Sequence, residues 1–117
     1  MSHTHLSDSL THVRAAGTVT VHNAPALRGA LIDLISEGHV RLILDLTSVA
    51  FLDSTGLGVL LGGLKRCRKE GGDLVLVLTD LRTSKILRVT GLIRAVGVYP
   101  DAARAAEALA RTAAGPR

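Results

Sequence analysis

Aromatic side chains are nearly missing from this 117-residue chain, which has Phe51, Tyr99 and no tryptophan. The core must therefore be aliphatic, and a surface that reads nucleic acid by stacking bases on rings is excluded. Cysteine is almost as scarce: Cys67 stands alone, so neither an internal disulfide nor a multi-cysteine metal site can form. Long apolar runs are lacking too, and the longest, residues 56–64, is far too short to cross a bilayer. The opening stretch MSHTHLSDSL has neither the basic nor the apolar region of a signal peptide. These absences lead to the expectation of a soluble, cytoplasmic chain with no membrane or direct nucleic-acid contact.

What is present suits one small domain. Apolar residues make up 47% of the chain, enough to close a single core without staples. The formal charge is +4. Four basic residues cluster at Lys65, Arg66, Arg68 and Lys69, read here as a solvated helix end whose charge complements the helix dipole.

No repeat or linker divides the sequence. Residues 1–9 read as a flexible polar tail, 10–111 as one domain and 112–117 as a frayed end. Within residues 10–21, alternating apolar positions around Gly17 predict two short strands and a turn. Asn23 is placed to cap a first helix, with Pro25 in its first turn and Leu27, Leu31, Leu34 and Ile35 on its apolar face. Gly38 ends that helix. Residues 40–46, VRLILDL, predict a strand covered on both faces. A second helix is expected from about Ser54, with Leu57, Leu60, Leu61 and Leu64 as its buried stripe. Gly58, Gly62, Arg66 and Lys69 occupy its other side, and Gly71 and Gly72 stop it. A strand over 73–78, a helix capped by Asp80 and ending near Gly91, a short strand over 95–99 and a helix capped by Asp101 follow. Alternating strands and helices with short links define an α/β fold: a mixed, mainly parallel sheet of four to five strands with about four helices.

Catalytic and phosphate-loop patterns fail one by one. From Gly58 the lysine falls one place late for a Walker loop and no hydroxyl follows it. Leu61 stands where a dinucleotide fingerprint needs its third glycine. Ser54 has Leu52, not glycine, two places before it, so it is not a hydrolase elbow. The five histidines (His3, His5, His12, His22 and His39) are dispersed; His3 and His5 offer only adventitious metal binding, and no metal site, cofactor or catalytic residue is expected. What remains is Ser54 at the amino end of a helix, where free N–H groups and the helix dipole favour negative charge. An unmodified serine there is a cap; a phosphorylated one adds close to two negative charges beside Asp53 without disturbing the fold.

The stretch VRLILDLTSVAFLDSTGLGVLLGGLKRCRKEGGDLVLV resembles the central block of the anti-sigma-factor antagonists, the single-domain STAS proteins of bacteria. Their V-x-F-[ILM]-D-[ST]-[ST]-G pattern, after a strand ending in aspartate, is matched by Asp45, Val49, Phe51, Asp53, Ser54, Thr55 and Gly56. Leu87, Gly91 and Leu92 match a later L-x-x-x-G-L segment. The resemblance implies a non-enzymatic partner switch in transcription regulation and stress response. The unphosphorylated antagonist binds an anti-sigma factor that is also a serine kinase, and so frees a sigma factor. Phosphorylation dissociates the complex and a metal-dependent serine phosphatase restores it. By position the phosphoacceptor is Ser54, with Thr55 second. The implied partner-binding set is Asp53, Ser54, Thr55, Gly56, Gly58, Gly62 and Arg66, in which Asp53 and Gly56 shape the loop. The chain departs from the family at Thr18 and Thr20, where acidic residues are usual. That departure motivates a second reading, a non-switching STAS subunit of another regulatory or transport assembly. A small nucleotide- or anion-binding module is a third.

Overall fold

The computed structural model describes residues 2–6, 10–79 and 81–114. One sheet runs in the order β1 (Ser2–His5), β2 (Thr11–Val19), β3 (Arg41–Leu52), β4 (Asp73–Val77), β5 (Gly97–Tyr99). β1 pairs antiparallel with β2, and every other neighbouring pair is parallel. Four helices complete the chain: α1 (Ala24–Ser36), α2 (Ser54–Lys69), α3 (Leu81–Thr90) and α4 (Ala102–Ala114), with a 3-10 turn at Leu92–Arg94. The expected mixed, mainly parallel α/β architecture is what forms.

β3 is the centre of the fold because its side chains are apolar on both faces. Leu42, Leu44 and Leu46 face the larger core with α1, α2 and Leu87 of α3, whereas Ile43 joins Val75, Val77, Ala105 and Leu109 beneath α4. All four β3 side chains are fully buried, each contributing about 2 kcal/mol through removal of apolar surface from water.

Several boundaries differ from the sequence reading, each for a physical reason. Residues 2–5, expected in a loose tail, form β1, held by pairing Ser2–His5 against Thr11–Arg14. Residues 11–19 are one strand rather than two around a turn: Gly17 has φ +77 and sits between register shifts, not in a reversal. The antiparallel edge is therefore made by β1 and β2. β3 runs to Leu52, not Leu46. Its partner register advances from Arg14↔Asp45 to Ala16↔Ser48, and from Gly17↔Val49 to Thr18↔Phe51. Each shift adds one residue to β3, so Leu46, Val49 and Leu52 are buried at intervals of three and the alternation that marks a strand disappears. α4 continues through Ala114. Asp101 caps it as expected, its Oδ1 accepting from the Arg104 N–H at 2.8 Å. The expected α3 cap, Asp80, lies outside the described residues.

One polar pair is buried on the α4 face of the sheet. The His12 Nε2–H donates to Asp45 Oδ2 at 2.8 Å, and the Thr47 N–H and hydroxyl donate to Asp45 Oδ1 at 2.9 and 2.6 Å. Burial pushes the Asp45 carboxyl up, but the bonds from Thr47 and His12 together outweigh it, and the net displacement is downward. A carboxyl lowered by folding stabilises above its unfolded pKa and loses that contribution as pH falls through the folded value. Asp45→Ala is therefore expected to cost about 1.5 kcal/mol at neutral pH. In urea titrations the gap from wild type should narrow as pH falls below about 4, because wild type then protonates the Asp45 carboxylate that the alanine variant never had.

Candidate functional site

At the carboxyl ends of β2 and β3, Asp53 alone separates the last strand residue, Leu52, from the first residue of α2. This strand-to-helix corner is where open α/β sheets place their binding sites. Asp53, with extended backbone, is the helix cap: its Oδ1 accepts from the Gly56 N–H at 3.0 Å. Its Oδ2 accepts from the Val21 N–H at 3.2 Å, and its own N–H donates to the Val19 carbonyl at 3.2 Å. One carboxylate thus ties the end of β2 to the beginning of α2.

Ser54 is the first helical residue and not the cap, which corrects the sequence assignment; a serine and an aspartate are both good caps, and the carboxylate occupies the place. The Ser54 side chain is exposed and makes no hydrogen bond among the described residues. Thr55 is exposed beside it. Gly56 is buried against β2 and β3: a Cβ there would lie 2.6 Å from Leu52 Cδ1 and 2.8 Å from the Val19 carbonyl oxygen. It seats the helix from beneath and presents no surface of its own.

Thr55, Gly58, Gly62 and Arg66 come together along a groove of ≈ 370 Å³ whose other wall includes Arg28 of α1. Four of the seven expected partner-binding residues therefore share one surface, and Asp53 and Ser54 stand at its helix-start end. Lys69 is exposed at the far end of α2. The buried stripe of α2 is Gly56, Leu60, Gly63, Leu64 and Cys67, so the helix is turned from the expected one and Leu57 and Leu61 are only half-buried. Glycine at 56 and 63 lets the backbone itself approach the sheet, a contact that leucine spacing does not reveal.

Thr18 pairs with Phe51 in the parallel ladder and is exposed. The Thr20 hydroxyl accepts from the His22 N–H at 3.4 Å within the turn that leads to α1. Asn23 occupies the cap position of α1, but its side chain serves that turn instead: Oδ1 accepts from the Thr20 N–H at 2.7 Å and the amide donates to the Thr18 carbonyl. Sequence reasoning missed Arg28, Val21 and Phe51 as surface features of this corner. Val21 and Phe51 are 59% and 52% exposed, so each presents apolar surface to solvent. Phe51 carried a signal, being the sole phenylalanine and lying in FLDS; Arg28 carried none.

Cys67 offers no thiol chemistry, because burial and, secondarily, the Asp73 charge push its pKa up to about 12. Among the described residues no cluster of three metal-ligating side chains occurs, and no helix is long and apolar enough to cross a membrane.

Comparison with known proteins shows the family. The STAS domain family model matches residues 3–105, and the chain belongs to that family. An anti-sigma-B factor antagonist of Bacillus subtilis is 40% identical over 80 residues, covering 68% of this chain and 72% of the relative. One from Listeria monocytogenes is 40% identical over 78 residues, covering 66% and 68%. Among solved structures, an anti-sigma factor antagonist from Mycobacterium paratuberculosis superposes with a TM-score of 0.80 at 29% identity, over 92% of this chain and 94% of that one.

Proposed function

We propose that the chain is a phosphorylation-controlled anti-sigma-factor antagonist. With Ser54 unmodified it binds an anti-sigma factor that is a serine kinase, and thereby frees a sigma factor. Phosphate on Ser54 ends the complex, and a metal-dependent serine phosphatase reverses the modification. ATP and metal chemistry belong to those partners, and the antagonist supplies an acceptor and a docking surface. The observation that carries the reading is the Ser54 hydroxyl: exposed, unpaired among the described residues, and the first residue of a helix whose cap is fixed by two hydrogen bonds.

The electrostatics support a switch. The Asp53 carboxylate already lies at the helix start, so a phosphoserine beside it concentrates about three negative charges at the corner. A partner that closes over this end desolvates those charges, and like-charge juxtaposition across an interface costs several kcal/mol. Because Asp53 already fills the helix amino end, a freely binding small anion is disfavoured there, which argues against the nucleotide- or anion-module reading.

The test combines the purified chain with its anti-sigma kinase and ATP, maps phosphate by mass spectrometry and then measures complex formation. Phosphate on Ser54 with loss of the complex is expected. Phosphorylation that leaves affinity unchanged, or a stable complex in which no phosphate appears, would favour the non-switching subunit that Thr18 and Thr20 suggest.

A further inference from the structure

Three imidazoles gather at the end of the sheet opposite Ser54. His3 and His5 pair with Val13 and Thr11, so both lie on the sheet face that packs into the larger core. His39, in the link from α1 to β3, completes the row. Ring centroids are 5.2 Å apart between His3 and His5, edge to face, and 4.3 Å apart between His5 and His39, tilted by 31°. His5 Nδ1 is hydrogen-bonded to the buried Thr11 hydroxyl at 3.0 Å. His3 and His5 are exposed and His39 is half-buried.

No counter-charge meets this row. Among the described residues none of the three rings takes part in an ion pair. On β2, His12 and Arg14 alternate with Thr11 and Val13 and so point to the other face, where Asp45 holds His12 at 2.8 Å. Arg41 likewise alternates with Leu42 of the larger core. Asp33 and Glu37, exposed toward the end of α1, form no ion pair with these rings. Asp8, between β1 and β2 in sequence, lies outside the described residues.

The strand that carries two of the rings is weakly held. β1 has four residues, forms the edge of the sheet and pairs with β2 alone; edges of this kind open locally at low cost. The Leu6 N–H donates to the Leu10 carbonyl at 2.8 Å, so an opened β1 stays close to the edge it left.

We propose that His3, His5 and His39 form a pH-sensitive latch: neutral, the rings hold β1 on the sheet, and charged, they release it. Neutral rings gain from edge-to-face and offset packing. Charged rings at the same separations repel, and no carboxylate among the described residues offsets them. Imidazole changes charge between pH 5 and 8, so the docked population is highest at the upper end of that range and falls as pH drops through it. Release uncovers the outer edge of β2 over Thr11–Arg14. Ser54 lies at the carboxyl ends of the strands and the latch at their amino ends, so the two act independently.

The test measures hydrogen exchange of the full chain by NMR at about pH 7.5 and about pH 5.5, either side of the imidazole range. A chelator keeps adventitious metal off the histidines, and protection is expressed relative to an unstructured chain at the same pH. Protection of the amides of residues 3–6 is expected to fall about tenfold on acidification, the scale of two unit-charge repulsions at about 5 Å in water. The amides of Leu44 and Leu76 should keep theirs. His3→Phe with His39→Phe retains three rings but leaves one that can charge, and the fall should shrink to less than about twofold. If β1 does not dock in that variant, His39→Gln, which removes one of the two repulsions, should read a fall of about fourfold. Ser54→Asp should leave the wild-type response unchanged. Equal protection at both pH values overturns the proposal, as does an undiminished fall in the variants. A loss that spreads to β3 and β4 marks general acid unfolding and overturns it equally.

Discussion

Gly56→Ala is expected to lower stability by about 2 kcal/mol even though alanine is the better helix former. In an open helical position the exchange gains about 1 kcal/mol. Here the new Cβ would lie 2.6 Å from Leu52 Cδ1 and 2.8 Å from the Val19 carbonyl oxygen. Leucine can rotate away, but the carbonyl is backbone and also accepts the Asp53 N–H at 3.2 Å. Overpacking of this kind costs about 3 kcal/mol, which exceeds the propensity gain. Relief requires the first turn of α2 to lift from β2, and that motion carries Asp53 and Ser54 with it. Gly58→Ala is the control, since a Cβ at Gly58 meets nothing within 4 Å. It should stabilise by about 0.5–1 kcal/mol. Urea denaturation of the two variants decides the matter: equal and favourable effects would show that the close approach at Gly56 is not what seats the helix.

That glycine also shows how far the sequence could be read. VRLILDL announced a strand and FLDSTGLG a helix beginning at about Ser54, because apolar runs, caps and leucine spacing are local signals. The tertiary reasons for the same residues were not local. Two register shifts in β3 replace alternation with burial every third residue, so Val49 and Leu52 could not be seen as strand. Ser2–His5 has no apolar pattern at all and becomes a strand only because β2 offers it an edge. The rotation of α2 that buries Gly63 and leaves Leu57 and Leu61 half-covered follows from backbone packing against the sheet, where glycine, invisible to a hydrophobic count, permits the closest contact. Gly58, Gly62, Arg66 and Lys69 were legible as one helical side, but Arg28 came to the first three from α1, far from them in sequence, and only the packed helices reveal it.

Ser54→Asp is expected to reduce affinity for the anti-sigma kinase by about a hundredfold while leaving the domain folded, and Ser54→Ala to keep the complex intact. The two halves of this expectation rest on opposite effects of the same charge. Within the chain, a carboxylate in the first turn of α2 faces the positive end of the helix dipole and stabilises by about 0.3–1 kcal/mol at an exposed site; Asp53 beside it offsets part of that gain. Across an interface the new charge must be desolvated next to Asp53, whose own oxygens are engaged with Gly56 and Val21 and cannot turn away. A penalty of about 3 kcal/mol, a hundredfold in affinity, is the scale expected for such a like-charge contact. Calorimetric titration at two salt concentrations, with thermal melts of each variant, separates the causes. A charge block leaves the melting temperature within a few degrees of wild type and weakens less at high salt as screening grows. A variant that binds as tightly as wild type removes the switch, and one that melts early with lost binding shows that the corner fails by unfolding instead of repulsion.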